Sequence, residues 1–101
     1  MSKRFTSPKH IARVREQPCM VCGNDYGVEA HHLMRPWRDG RGMGMRAGDD
    51  NAVPLCSDHH RALHARGDEI AFFEETLGDG EAGQFTARSL WYRSPSYKER
   101  S

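Results

Sequence analysis

The sequence predicts a small α+β domain: a two-stranded antiparallel hairpin joined to a helix, with flanking helices and a metal staple. Three observations predict it. Only 37 % of the 101 residues are hydrophobic and 29 % are charged, so apolar material for a core is scarce. Small, polar domains of this kind often need a staple such as a disulfide or a metal. Three cysteines cannot all pair within one chain, so a disulfide framework is disfavoured and thiols and imidazoles remain as the staple. Third, Cys56-x2-His59 and His60-x3-His64 follow one another directly, so two ligand sets converge on one predicted helix.

Each element has a local cause. Residues 1–6 read as a loose basic arm. Ser7-Pro8 opens a helix, because serine caps free N–H groups and proline suits the first helical position. Ile11 and Val14 share a face of that helix, and Pro18 stops it. Cys19 to Gly23 reads as a knuckle, a tight turn that brings two thiols together. Gly27 to Leu33 reads as a short strand carrying His31 and His32. Residues 35–48, rich in Gly and Arg, read as a long flexible basic loop. Asn51 to Leu55 reads as the second strand. A helix follows from Ser57 to Ala65, ended by Gly67. Another begins near Asp68, with Ile70, Phe73 and Leu77 on one face and Gly78 as its stop. These elements make one domain over 7–78, and residues 79–101 form an extension of unknown role in which Trp91 and Tyr92 are possible anchors.

Composition narrows the function classes. No stretch is apolar enough to span a membrane. The basic start is followed by no apolar signal core, and thiolates held by metal suit a reducing, cytoplasmic setting. The formal charge is only +1, but it is unevenly spread: residues 1–46 sum to +5 and residues 47–101 to −4. A basic half suits a phosphate-bearing partner. Solvated surface charge is the competing explanation.

Cys19, Cys22, Cys56 and His59 form the first constellation. Thiolates and imidazoles are the ligands zinc prefers, and four of them close its coordination sphere. The set uses all three cysteines. The alternatives are three buried thiols packed as small apolar groups, or a redox pair.

The second constellation is built of histidines. His60 and His64, four apart, share a helix face, while His59 points about 100° away toward the zinc side. A third ligand must come from the His31-His32 pair, whose members face opposite ways on a strand. One can bind metal while the other faces a substrate. Three protein ligands leave positions open for water and a phosphate oxygen, the mark of a catalytic site.

Glu29-Ala30-His31-His32, Asn51 and His60-x3-His64 resemble the motif of the HNH (ββα-metal, or His-Me finger) endonucleases, in particular the colicin-type DNases. With Cys19-x2-Cys22 and Val53-Pro54-Leu55-Cys56-x2-His59-His60 added, the chain looks most like the zinc-stapled, Ref-like HNH proteins of phages and prophages. The resemblance covers residues 7–78. It implies a ββα-metal domain that hydrolyses DNA phosphodiester bonds, leaving a 5′-phosphate and a 3′-hydroxyl. It assigns His31, with His60 and His64, to a catalytic divalent metal (Mg²⁺, Mn²⁺, Ni²⁺ or Zn²⁺), and His32 to the role of general base. Asn51 would pin the loop that holds His32. The chemistry agrees with this division, since a base needs a ring nitrogen that no metal occupies. The Gly/Arg-rich insert departs from the shorter colicin loop, so substrate preference does not carry over.

Within that insert, Arg35, Arg38, Arg41 and Arg46 are candidates for phosphate contacts, with ordinary loop charge as the alternative. Trp37 could pack under the loop or stack on a base. Two other functions compete with a self-sufficient nuclease. One is a non-catalytic zinc-knuckle nucleic-acid-binding module, which leaves the histidines unexplained. The other is a nuclease subunit that depends on a phage recombination or packaging partner.

Overall fold

A computed structural model of the chain describes residues 4–39 and 46–100, with the side chains of residues 99 and 100 outside the description. It shows an α+β domain whose two strands pair antiparallel and whose four helices surround them.

Helix α1 (Pro8–Arg15) starts where sequence places it: the Ser7 hydroxyl accepts the His10 N–H, and Pro8 occupies the first turn. The knuckle follows. Gly23, at φ 77°, turns it and donates its N–H to the Cys19 carbonyl. Strand β1 (Val28–His32) pairs with β2 (Ala52–Cys56), Glu29 opposite Leu55 and His31 opposite Val53. Pro54 tolerates this position because each strand of a two-stranded sheet has an unpaired edge. Its carbonyl accepts the Met20 N–H, which docks the knuckle onto β2.

Helix α2 (Ser57–Arg66) begins with no intervening loop, so Cys56 both ends the strand and caps the helix. Gly67 closes α2 in the left-handed region at φ 77°, its N–H reaching the Leu63 carbonyl. Asp68 caps α3 (Glu69–Leu77) by accepting the Ala71 N–H. The core comprises Leu33, Val53, Leu55, Leu63, Phe72, Phe73 and Ala87, together with Cys19 and Cys56.

Two regions differ from expectation. The stretch after residue 78 contains a 12-residue helix, α4 (Ala82–Arg93), and a 3₁₀ segment (Pro95–Arg100). Helix α4 buries Gly83, Ala87 and Trp91, four residues apart on one face. Small residues at two of these three positions hide the helix from an apolar periodicity. The described part of the expected loose arm is fastened: Arg4 pairs with Asp49, the Phe5 carbonyl accepts the Asp49 N–H, and the Phe5 ring meets Trp91 edge-on. No helix among the described residues is long and apolar enough to cross a membrane.

Candidate metal centres

The knuckle and the β2–α2 junction bring Cys19, Cys22, Cys56 and His59 together, with one ligand atom from each within 4.8 Å of all the others. Tetrahedral coordination with metal–sulfur bonds of about 2.3 Å requires sulfur–sulfur edges of about 3.8 Å. The Cys22 and Cys56 sulfurs lie 3.9 Å apart, and His59 Nδ1 lies 3.8 Å from Cys19 Sγ and 3.2 Å from Cys56 Sγ. All three cysteines are free of disulfides. Burial opposes the Cys19 thiolate, but the amides of Cys56, Cys22 and Val21 outweigh it and bring the thiol from 9.0 to about 6. At Cys22 the Asn24 amide favours the thiolate, yet desolvation and the adjacent Cys19 and Cys56 prevail and push the thiol up. A cation relieves that crowding. The cluster could hold a metal ion such as zinc.

The second group lies along the face of α2 that meets β1. His31 Nδ1 and His64 Nε2 are each 3.2 Å from His60 Nε2, and one nitrogen from each of the three rings falls within 4.8 Å of the others. Zinc-type bonds of about 2.0–2.1 Å in a tetrahedron give nitrogen–nitrogen edges of about 3.3 Å. The spacing therefore fits a single ion. His59, one residue before His60, faces the cysteines instead, as helix geometry expects.

Carboxylates hold the far sides of two of these rings. His31 is 2 % exposed and Glu69 4 %, and His31 Nε2 lies 2.7 Å from Glu69 Oε1. Burial opposes the Glu69 carboxylate, but hydrogen bonds from His31 and from the amides of Met34 and Arg35 outweigh it and lower its pKa. Burial, helped by the neighbouring His60 and His64, lowers the pKa of His31 although Glu69 raises it. A carboxylate only accepts, so His31 Nε2 carries the hydrogen and Nδ1 keeps its lone pair for a metal. Glu29, two residues before His31 and on the same strand face, accepts from His60 Nδ1 at 2.7 Å and leaves Nε2 bare in the same way.

His32 faces away from this group. Its Nε2 lies 2.7 Å from Asp49 Oδ1, which also accepts from Arg4 at 2.8 Å, while Asp49 Oδ2 accepts the Ser7 N–H at 2.7 Å. Burial raises the Asp49 pKa, but these partners outweigh it and hold the carboxyl at about 2. The bond to Asp49 fixes the hydrogen of His32 on Nε2 and leaves Nδ1 as an acceptor.

Asn51, 1 % exposed, accepts from the amides of Trp37 and Arg38 and donates to the Arg38 carbonyl. It pins the start of the insert, while its backbone carbonyl accepts the Leu33 N–H beside His32. The four arginines have different fates. Arg35 and Arg46 are exposed. Arg38 is drawn toward Asp50, at 3.5 Å, and lies 5.7 Å above the Trp37 ring. Arg41 lies outside the described residues.

Three carboxylates, Glu29, Asp49 and Glu69, were given no role from the sequence. Strand alternation alone would have put Glu29 beside His31. Asp49 and Glu69 carry no such signal. Asp49 lies 17 residues beyond His32, and Glu69 resembles an ordinary first-turn acid of α3.

Residues 1–87 match the family described as "Protein of unknown function (DUF968)", and the chain belongs to that family. It is also 37 % identical over 70 residues to "Uncharacterized protein YdfU" of Escherichia coli strain K12. That alignment takes in 69 % of this chain and 19 % of the relative, so the chain spans about a fifth of that protein's length. No solved structure matches the chain.

Proposed function

We propose that this DUF968 member is a metal-dependent DNA endonuclease of the HNH, ββα-metal type, working in the cytoplasm. The observation that carries the reading is the trio His31, His60 and His64, three imidazoles spaced for one ion, with His31 and His60 oriented by carboxylates behind them. A structural zinc tends to close its sphere with four protein ligands, whereas three leave room for water and substrate. The Cys19, Cys22, Cys56 and His59 set serves as the structural centre, and strand–strand–helix order matches the arrangement the motif implies.

His31, His60 and His64 would hold a divalent cation, which would supply Lewis-acid stabilisation to the scissile phosphate. Imidazole ligands favour Zn²⁺ or Ni²⁺ by intrinsic affinity, and cellular availability favours Mg²⁺ or Mn²⁺. His32 accepts the proton of the attacking water at Nδ1, while Asp49 stabilises the imidazolium that results. Asn51 keeps the chain beyond His32 in place through Trp37 and Arg38. Arg35 and Arg46, both exposed, contribute phosphate contacts that position DNA without reading its sequence.

The test combines metal content with cleavage of circular duplex and single-stranded DNA in Mg²⁺, Mn²⁺, Ni²⁺ and Zn²⁺. The wild type should hold two metals per chain and cut. His32→Ala should keep both metals and lose cleavage by roughly 10²–10⁴-fold, the usual worth of a positioned base. His60→Ala should lose one metal and the activity. Cleavage by His32→Ala at the wild-type rate overturns the mechanism. A single metal in the wild type, unaffected by His60→Ala, points instead to a binding module.

A further inference from the structure

Helix α4 carries an exposed stripe that neither metal centre uses. Phe85, Arg88 and Tyr92 occupy positions i, i+3 and i+7 and so share one face. Phe85 is 62 % and Tyr92 58 % exposed. The stripe continues beyond the helix: Tyr97 lies 6.4 Å from Tyr92, and Trp37 lies 5.8 Å from Tyr92 on the other side. Pro36, Trp37, Gln84, Phe85 and Arg88 line one groove between the insert and α4, with Asp79 and Glu81 at one end of it.

From this arrangement we infer that the α4 stripe and Trp37 form a stacking platform for unpaired bases, and that the substrate is DNA with a single-stranded segment. The choice of DNA rests on the nuclease reading above. Charge favours a polyanion. Arg88 and Arg93 are exposed and make no ion pair among the described residues, and Arg38 lies over Trp37. Asp79 and Glu81 line the N-terminal end of the same groove and oppose phosphate there, the Asp79 side chain accepting the Glu81 N–H, so the phosphates are met by Arg88 and Arg93 toward the C-terminal half of α4. Flat rings interleaved with arginines bind single strands because every base has a π-face, whereas paired bases in a duplex keep theirs stacked.

The platform is also tied to the histidine site. Glu69 accepts from His31 and from the amides of Met34 and Arg35, and the Arg35 carbonyl accepts from Gln84 of α4. Asn51 holds the next two amides, of Trp37 and Arg38. The residues between His31 and Trp37 are thus fixed at both ends, which sets the rings in register with the proposed scissile site.

The experiment is fluorescence anisotropy of the zinc-loaded full chain with labelled oligothymidylate and with a duplex of equal length. Oligothymidylate should bind more tightly. Phe85→Ala and Tyr92→Ala should each weaken it by roughly 5- to 150-fold, the range for one base–ring stack, while Tyr92→Phe restores binding. Arg88→Ala should lower the slope of log affinity against log salt by about 0.7, the single-strand value. All three sites are exposed, and unchanged circular dichroism checks the fold. Equal binding of duplex and single strand, or Ala variants that bind like the wild type, overturns the platform. So does sedimentation as a dimer that Phe85→Ala dissolves, since the stripe then serves self-association. The nuclease reading fails separately: if no DNA is cut yet oligothymidylate binding depends on Phe85 and Tyr92, the platform stands without it.

Discussion

Both oxygens of Asp49 are engaged at once, one by His32 and Arg4 and the other by the Ser7 amide. Asparagine is nearly the same shape but replaces one acceptor oxygen with a donor. It can accept from His32 Nε2–H or from the Ser7 N–H, but not from both; if it accepts from Ser7, it donates to His32 Nε2 instead. In Asp49→Asn the ring of His32 should lose its single tautomer, and a form protonated on Nδ1 cannot accept a proton there. On the proposed mechanism kcat should fall by about 10-fold or more, within the range of acid–base contributions, with KM and metal content near wild type. Nitrogen-15 NMR of the ring gives a readout independent of activity: Nε2-protonated in the wild type, mixed in the variant. A single Nε2–H tautomer in Asp49→Asn would mean that Asp49 does not set the state of His32. At this scale the sequence exposes the ligand atoms but not what orients them. Cys19, Cys22, His60 and His64 are legible because helix and knuckle spacing is local. Asp49 and Glu69 reach their histidines only through the folded chain.

Among the elements, α4 was the least legible, and its packing explains why. The face it buries consists of Gly83, Ala87 and Trp91, while Phe85 and Tyr92 point outward. Apolar periodicity weighs large residues, so it registers the exposed rings and overlooks the two small residues that allow close approach. Gly83 shows how close that approach is. A Cβ there would lie 2.6 Å from Phe73 Cε2 and 3.0 Å from Leu33 Cδ2. Gly83→Ala would gain about 1 kcal/mol of helix propensity. Against that stands an overpacking cost of about 1–3 kcal/mol in a tight core. Phe73 and Leu33 are each 1 % exposed, so neither has room to retreat and the cost should win. A lower urea midpoint with an unchanged m-value is the expected result. An equally stable variant would show that α4 can shift outward without loss. By contrast α2 was legible to within a residue of its C-terminus, because Gly67 terminates it in the left-handed region and the ligand spacing marks its faces.

For the whole molecule, the four-ligand cluster joins the knuckle to the β2–α2 junction, where Met20 and Val21 also pack against the core. Cys19 and Cys56 are themselves members of the core, so metal and core are one structure rather than two. The knuckle reaches β2 through the Met20 N–H and the Pro54 carbonyl, a contribution of about 1 kcal/mol for a typical hydrogen bond. Zinc in small metal-dependent folds contributes roughly 10 kcal/mol or more. That is comparable to the whole stability of an ordinary domain, about 5–15 kcal/mol. Cys19→Ser should therefore lose one metal and its cooperative unfolding transition, or be insoluble, and a strong chelator should do the same to the wild type. His60→Ala supplies the contrast. It removes a ligand from the other centre, at the half-buried face of α2, and should lose one metal while melting close to the wild type. If Cys19→Ser keeps the wild-type melting temperature, the apolar core suffices alone and the four-ligand centre is not what holds the domain together.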